Sequence, residues 1–136
     1  NTRGQPCGFF DQDVWYRGII DYQKIAGAQA LVIDHKTGKV HQKLGQLIIF
    51  ALWTFAQYPE VQTVRAEYYW TQNRTKAGGT YSRADIPQLW ALFLPDLRQY
   101  AEAFKTDTWQ PRQSGLCNGW CPVTECEFWR PKRKRS

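Results

Sequence analysis

Asp21, Asp34 and Lys36 are the residues of this chain best suited to chemistry, because two carboxylates and an ammonium stand at the ends of two successive apolar runs. The first run closes in Gly18-Ile19-Ile20-Asp21, and the second passes from Leu31-Val32-Ile33 into Asp34-His35-Lys36-Thr37-Gly38-Lys39. Two hard oxygen ligands a few ångströms apart suit Mg²⁺ or Mn²⁺, which takes one or two carboxylates, waters and a phosphate oxygen. A lysine beside them stabilises charge on that phosphate or helps orient the attacking water. The plainer reading is a solvated strand-end ion pair, worth little. Against it stands Asp34's place after Leu31-Val32-Ile33, which reads as a buried strand; a carboxylate there is costly without a metal or a hydrogen-bonding partner.

Such a site needs paired strands. Residues 14–25 are rich in β-branched and aromatic types, and residues 30–36 are apolar before turning charged. Alternate side chains of a strand share a face, so Asp34 and Lys36 point the same way, and a hairpin through Ala26-Gly27-Ala28 brings Asp21 across from them. Leu44, Leu47, Ile48, Ala51, Leu52 and Phe55 then recur at helical spacing until Pro59, predicting a helix that covers the sheet. Val64, Ala66, Tyr68 and Trp70 alternate with polar neighbours, a third strand with one face inward. Residues 71–80 read as a polar loop with Gly78-Gly79, whose Arg74 and Lys76 either touch a phosphate backbone or are simply solvated. Ser82 followed by Asp85 marks a helix start, and Ile86, Leu89, Trp90, Phe93, Leu97, Tyr100, Ala101 and Phe104 continue an apolar stripe that Pro95 kinks or divides. Its aromatics read as core.

At 136 residues the chain is long enough for one domain with a real core, and its hydrophobic fraction of 43% argues against disorder. Seven Trp, seven Tyr and seven Phe leave aromatics over for the surface or for base stacking. No apolar stretch approaches the roughly 18 residues that cross a membrane, so no membrane partner is expected. A net charge of +6 suits a polyanionic partner. The tail Arg130-Pro131-Lys132-Arg133-Lys134-Arg135 reads as a solvated terminus, a DNA-backbone contact or a nuclear localisation signal. His35 packs or is solvated, and His41 reads as surface.

The order Gly18-x-x-Asp21, then Asp34-His35-Lys36-Thr37-Gly38, then Gln46 opening an apolar helix resembles the RecB-like branch of the PD-(D/E)XK nuclease superfamily, over about the whole chain. Phe50 stands where that family's Gln-x-x-x-Tyr helix carries its tyrosine. The resemblance implies an α/β fold with a restriction-endonuclease-like core: a central mixed β-sheet flanked by helices, and a cysteine-stapled C-terminal segment. It implies that Asp21 and Asp34 ligand the metal, that the backbone carbonyl of His35 adds a ligand, that Lys36 is the catalytic lysine, and that Gln46 supports the site or touches DNA. Such nucleases carry a helix with a metal-binding His, and a strand with an acid, upstream of the Gly-x-x-Asp strand. Only twenty residues precede Asp21 here, and Pro6, Gly8, Asp11 and Asp13 make them read as loop. The expectation is a fragment or a trimmed domain, whose site a protein partner or an N-terminal segment completes.

Cys117, Cys121 and Cys126 fall within ten residues of a turn-rich segment, 116–129, the clustering by which thiolates converge on one metal or cluster. Their spacing is not the two-residue knuckle of a zinc ribbon. In the AddB and CRISPR-adaptation types of the same family, three C-terminal cysteines join one N-terminal cysteine around a [4Fe-4S] cluster. The resemblance makes Cys7 the fourth ligand. Zinc at the same thiolates, two disulfides, or unligated buried thiols are the alternatives. The resemblance as a whole implies an Mg²⁺- or Mn²⁺-dependent deoxyribonuclease, an exonuclease acting in recombination, repair or phage DNA processing, in the cytoplasm of a bacterial or phage-infected cell. The alternative is a non-catalytic nucleic-acid-binding module with a structural cysteine-bound metal.

Overall fold

The hairpin expected around Gly27 forms between β1 (Tyr22–Ala26) and β2 (Gln29–Lys36), antiparallel, with Ala26 opposite Gln29. Gly27 turns the chain at φ 57°, a left-handed conformation that costs little without a Cβ. The computed structural model describes residues 1, 5–14, 16–40 and 43–131. His41 and residues 132–136 of the basic tail lie outside the described residues.

β1 is shorter than the apolar run at 14–25 predicts. Residues 16–20 are irregular and lie along α1 (Gly45–Gln57): the Tyr16 ring is 5.2 Å from the Trp53 ring, and a Cβ on Gly18 would fall 1.7 Å from Trp53 Cη2. The segment thus packs on a helix rather than extending a ladder, and Asp21 stands at a bend just before β1.

α1 is the crossover from β2 to β3 (Thr63–Trp70), which pairs with β2 in parallel, Asp34 beside Tyr68 and Lys36 beside Trp70. β3 then pairs antiparallel with β4 (Thr75–Ser82), completing a mixed four-stranded sheet in the order β1-β2-β3-β4. The fold class is α/β, as the sequence predicts.

β4 occupies most of the segment read as a loop, and only residues 71–74 turn, with Arg74 at φ 50°. The glycines mark a close approach of backbones instead: a Cβ on Gly78 would lie 2.2 Å from the Ala66 carbonyl oxygen and 2.8 Å from Glu67 Cα. Backbone in a paired strand has little room to give. Gly78→Ala is therefore expected to cost about 1–3 kcal/mol of stability, read as a lowered thermal midpoint.

One face of the sheet makes the core. Ala30 and Val32 of β2 and Val64, Ala66, Tyr68 and Trp70 of β3 pack against Leu47, Phe50, Ala51 and Phe55 of α1. Each fully buried apolar side chain contributes about 1.5–3 kcal/mol. The C-terminal end of α1 is closed from outside itself, because Arg83 donates to the carbonyls of Phe55 at 3.0 Å, Tyr58 at 2.7 Å and Val61 at 2.7 Å. Arg83 opens a 3₁₀ turn, Arg83–Asp85, whose capping box joins Ser82 and Asp85, and α2 (Ile86–Ala91) follows.

The chain is laid out as two compact units, Asn1–Leu94 and Pro95–Ser136. The long helical stripe is divided near Pro95, as expected, and α3 (Leu94–Thr106) has no buried residue. Tyr100 and Phe104 are largely exposed, stacking on each other at 6.4 Å, with Trp109 5.7 Å from Tyr100. The expectation that they are core is corrected. Among the described residues the second unit holds only α3 and a 3₁₀ turn, Gly115–Cys117, so it offers no second layer to cover them.

Candidate functional site

Three elements supply the side chains singled out above. β2 brings Asp34 and Lys36 to the face that α1 covers, since they share the phase of Ala30 and Val32. α1 brings Gln46, its second residue, and the bend before β1 brings Asp21. In a β-α-β unit the helix starts near the carboxyl end of the strand before it, the end where open α/β sheets place ligands.

Asp34, Lys36 and Gln46 close a ring. Gln46 Nε2 donates to Asp34 Oδ1 at 3.2 Å, Lys36 Nζ donates to Gln46 Oε1 at 2.9 Å, and Lys36 Nζ lies 2.6 Å from Asp34 Oδ2. Asp34 is only 4% exposed, yet its Oδ2 receives no aligned hydrogen bond from any described residue, so its contact with Lys36 is one of charge. Tyr68 forms the floor: its ring centroid is 5.1 Å from Lys36 Nζ.

Asp21 stands one step beyond the Tyr22 and Ile33 pair, the register position opposite Asp34. Its Oδ2 accepts from the backbone N–H of His35 at 2.8 Å and lies 3.9 Å from His35 Nδ1. The hairpin therefore brings the two acids to one strand end, with Asp34 engaged by Lys36 and Gln46 and Asp21 by His35. The donor chemistry fits a hard divalent cation: a buried carboxylate oxygen without an aligned hydrogen bond, and a half-exposed second carboxylate. Lys36 stands on the near side of Asp34 Oδ2 and must share it with any such ion.

Burial pushes the Tyr68 hydroxyl above the usual tyrosine range, and the charges of Asp34 and Tyr81 add to the effect; the backbone N–H groups of Leu47 and Gln46 pull the other way. Burial also raises Tyr81. The folded chain thus keeps phenolic protons that the unfolded chain has lost above about pH 10, so these groups cost stability as pH rises through that range. The denaturation midpoint is expected to fall as pH rises above about 10, and Tyr81→Phe to blunt the fall.

Tyr68 and Arg83 are the participants that sequence reasoning missed. Tyr68 has the inward phase of its strand, and its polar tip on a face otherwise apolar at Val64 and Ala66 was the available signal. On the other face of β3, Glu67 is buried and takes Arg65 Nε at 2.7 Å and Lys76 Nζ at 3.6 Å. Lys76, one of the two cations considered for phosphate contact, is thus paired, and Arg74 sits in the turn.

In the second unit, Cys117, Cys121 and Cys126 are free and half-buried on a backbone-stapled knuckle. Arg130 N donates to the Cys117 carbonyl at 2.7 Å, and Trp129 Nε1 to the Cys121 carbonyl at 3.1 Å. Cys7, exposed, belongs to the first unit. Among the described residues, the only three potential ligands whose donor atoms all lie within 4.8 Å of one another are Cys7, Asp11 and Asp13. The three C-terminal thiols share a segment but do not form such a group. No helix among the described residues is long and apolar enough to cross a membrane. No family model, curated protein or solved structure matches this chain.

Proposed function

We propose that this chain is a metal-dependent DNA nuclease, an exonuclease with a restriction-endonuclease-like core that hydrolyses phosphodiester bonds in recombination, repair or phage DNA processing in the cytoplasm. The observation that carries the reading is the buried carboxylate of Asp34, faced by Lys36 and Gln46 beside the first turn of α1. Asp34, Asp21 and the backbone carbonyl of His35 would hold Mg²⁺ or Mn²⁺, which supplies Lewis-acid charge at a bound phosphate. Lys36 contributes a fixed ammonium to the negative charge that develops on the phosphoryl oxygens. Gln46 holds that ammonium through its Oε1, and α1, with no acidic residue in its first turn, turns its positive end to an incoming phosphate. The net charge of +6 supports a nucleic-acid substrate. On the family resemblance alone, the proposal includes a [4Fe-4S] cluster, ahead of Zn²⁺, on the half-buried thiols of Cys117, Cys121 and Cys126.

A second reading, a non-catalytic nucleic-acid-binding module, is favoured by one observation: the Lys36 ammonium already stands against Asp34 Oδ2, the oxygen a metal would take. End-labelled linear and closed circular DNA, incubated with anaerobically purified protein and Mn²⁺, separate the two. The nuclease reading expects label released from linear DNA and the circle left intact, with the brown absorbance of an iron–sulfur cluster on the same sample. A protein that binds both DNAs and cuts neither is the binding module.

A further inference from the structure

Helix α1 begins without a cap of its own. Leu44 holds the N-cap position and no side chain bonds to the first turn from there. The backbone N–H groups of Gln46 and Leu47 in that turn act on the Tyr68 hydroxyl of β3 and offset part of the rise that burial gives its pKa. The ring of the same residue lies 5.1 Å from Lys36 Nζ, and the parallel register sets it beside Asp34. A residue 1% exposed therefore meets the ammonium of Lys36, the backbone that carries Gln46 and the surroundings of Asp34. Val64 and Ala66, on the same face, are buried members of the core.

We propose that Tyr68 is the positioning residue of the candidate active site: its ring carries Lys36 and its hydroxyl fixes the first turn of α1, so that Lys36 and Gln46 hold their places against Asp34. Should Asp34 turn to a metal, Lys36 keeps Gln46 and the Tyr68 ring as its supports. A flexible lysine needs such a support because its stem loses rotamer entropy whenever its charge is held in one place. The inference rests on the nuclease reading for its kinetic consequences only; the support of Lys36 is testable without cleavage.

The test compares Tyr68→Phe and Tyr68→Leu with the natural chain by DNA cleavage kinetics, thermal unfolding and NMR of the Lys36 ε-methylene protons. A ring beneath the lysine moves those protons upfield of their position in an unstructured chain. Tyr68→Leu is expected to lose the upfield displacement and at least ~10-fold in kcat with KM for DNA unchanged, the pattern of a group that acts in the transition state. Tyr68→Phe, which keeps the ring, is expected to restore the displacement and most of kcat, with a melting temperature lowered by a few degrees for the lost hydroxyl contact. A folded Tyr68→Leu with natural kcat and unmoved Lys36 signals overturns the proposal. If Tyr68→Leu does not fold, the natural chain decides: absence of the upfield displacement overturns the proposal, and its presence, kept in Tyr68→Phe, supports it. A natural chain that shows the displacement but cuts no DNA contradicts the nuclease reading and leaves the support of Lys36 by Tyr68 upheld.

Discussion

Asp34→Ala is expected to lose DNA cleavage by roughly 10³-fold or more while binding DNA as well as the natural chain or better. The carboxylate is the one acid of the site held in a fixed, buried position, by Gln46 on one oxygen and Lys36 on the other. Removing it takes away the better-placed half of the proposed metal donor set and the ion-pair partner of Lys36. Binding should not suffer, because one negative charge fewer beside a polyanion is favourable, most of all at low salt. Stability should change little. Lys36 is 27% exposed at its side chain, so its ammonium reaches water once the partner is gone. Fluorescence anisotropy with labelled DNA, beside a cleavage time course and a melting curve, reads all three quantities on one preparation.

Lys36→Met is expected to do the reverse to stability and to cost cleavage as well. Methionine keeps an unbranched stem of similar length on the Tyr68 ring, but it leaves Asp34 as a buried charge with only Gln46 for company. Breaking a buried pair from this side costs about 3–5 kcal/mol. The thermal midpoint should fall by more than about 10 °C, since each kcal/mol moves a domain of this size by about 4–8 °C. Adding Asp34→Asn to Lys36→Met should return most of the loss, because the orphaned charge goes with it. Mn²⁺ should also raise the midpoint of Lys36→Met, and by more than it raises that of the natural chain, because a cation beside Asp34 replaces the missing ammonium and binds only the folded state. If Mn²⁺ leaves Lys36→Met unmoved, Asp34 is not a metal ligand.

Legibility in the sequence followed periodicity. The two-residue repeat of β2 puts Asp34 and Lys36 on one face, and the apolar spacing that runs on to Phe55 puts Gln46 at the head of α1, the three members of the ring. Asp21 was half legible. The register puts it opposite Asp34, but its carboxylate turns to the His35 backbone, a choice that depends on the bend before β1 and has no repeat to announce it. Gly78-Gly79 misled because glycine marks a turn and a close strand approach alike, and only the position of Ala66 and Glu67 tells them apart. Tyr68 was legible as an inward strand residue and not as a support for Lys36, since a parallel crossover decides which strand lies beside Asp34. The cysteines were legible as a cluster in sequence, but the turns between them set their separation in space.

The measurement that tests the central claim most directly is a Mn²⁺-dependent cleavage time course on 5′-labelled linear DNA, run with the natural chain and Asp34→Ala at concentrations where both are fully bound. Metal-dependent release of label by the natural chain, absent with Asp34→Ala, is the predicted result. Equal cleavage by the two proteins, or none by a natural chain that is bound to the DNA with Mn²⁺ present, contradicts the account.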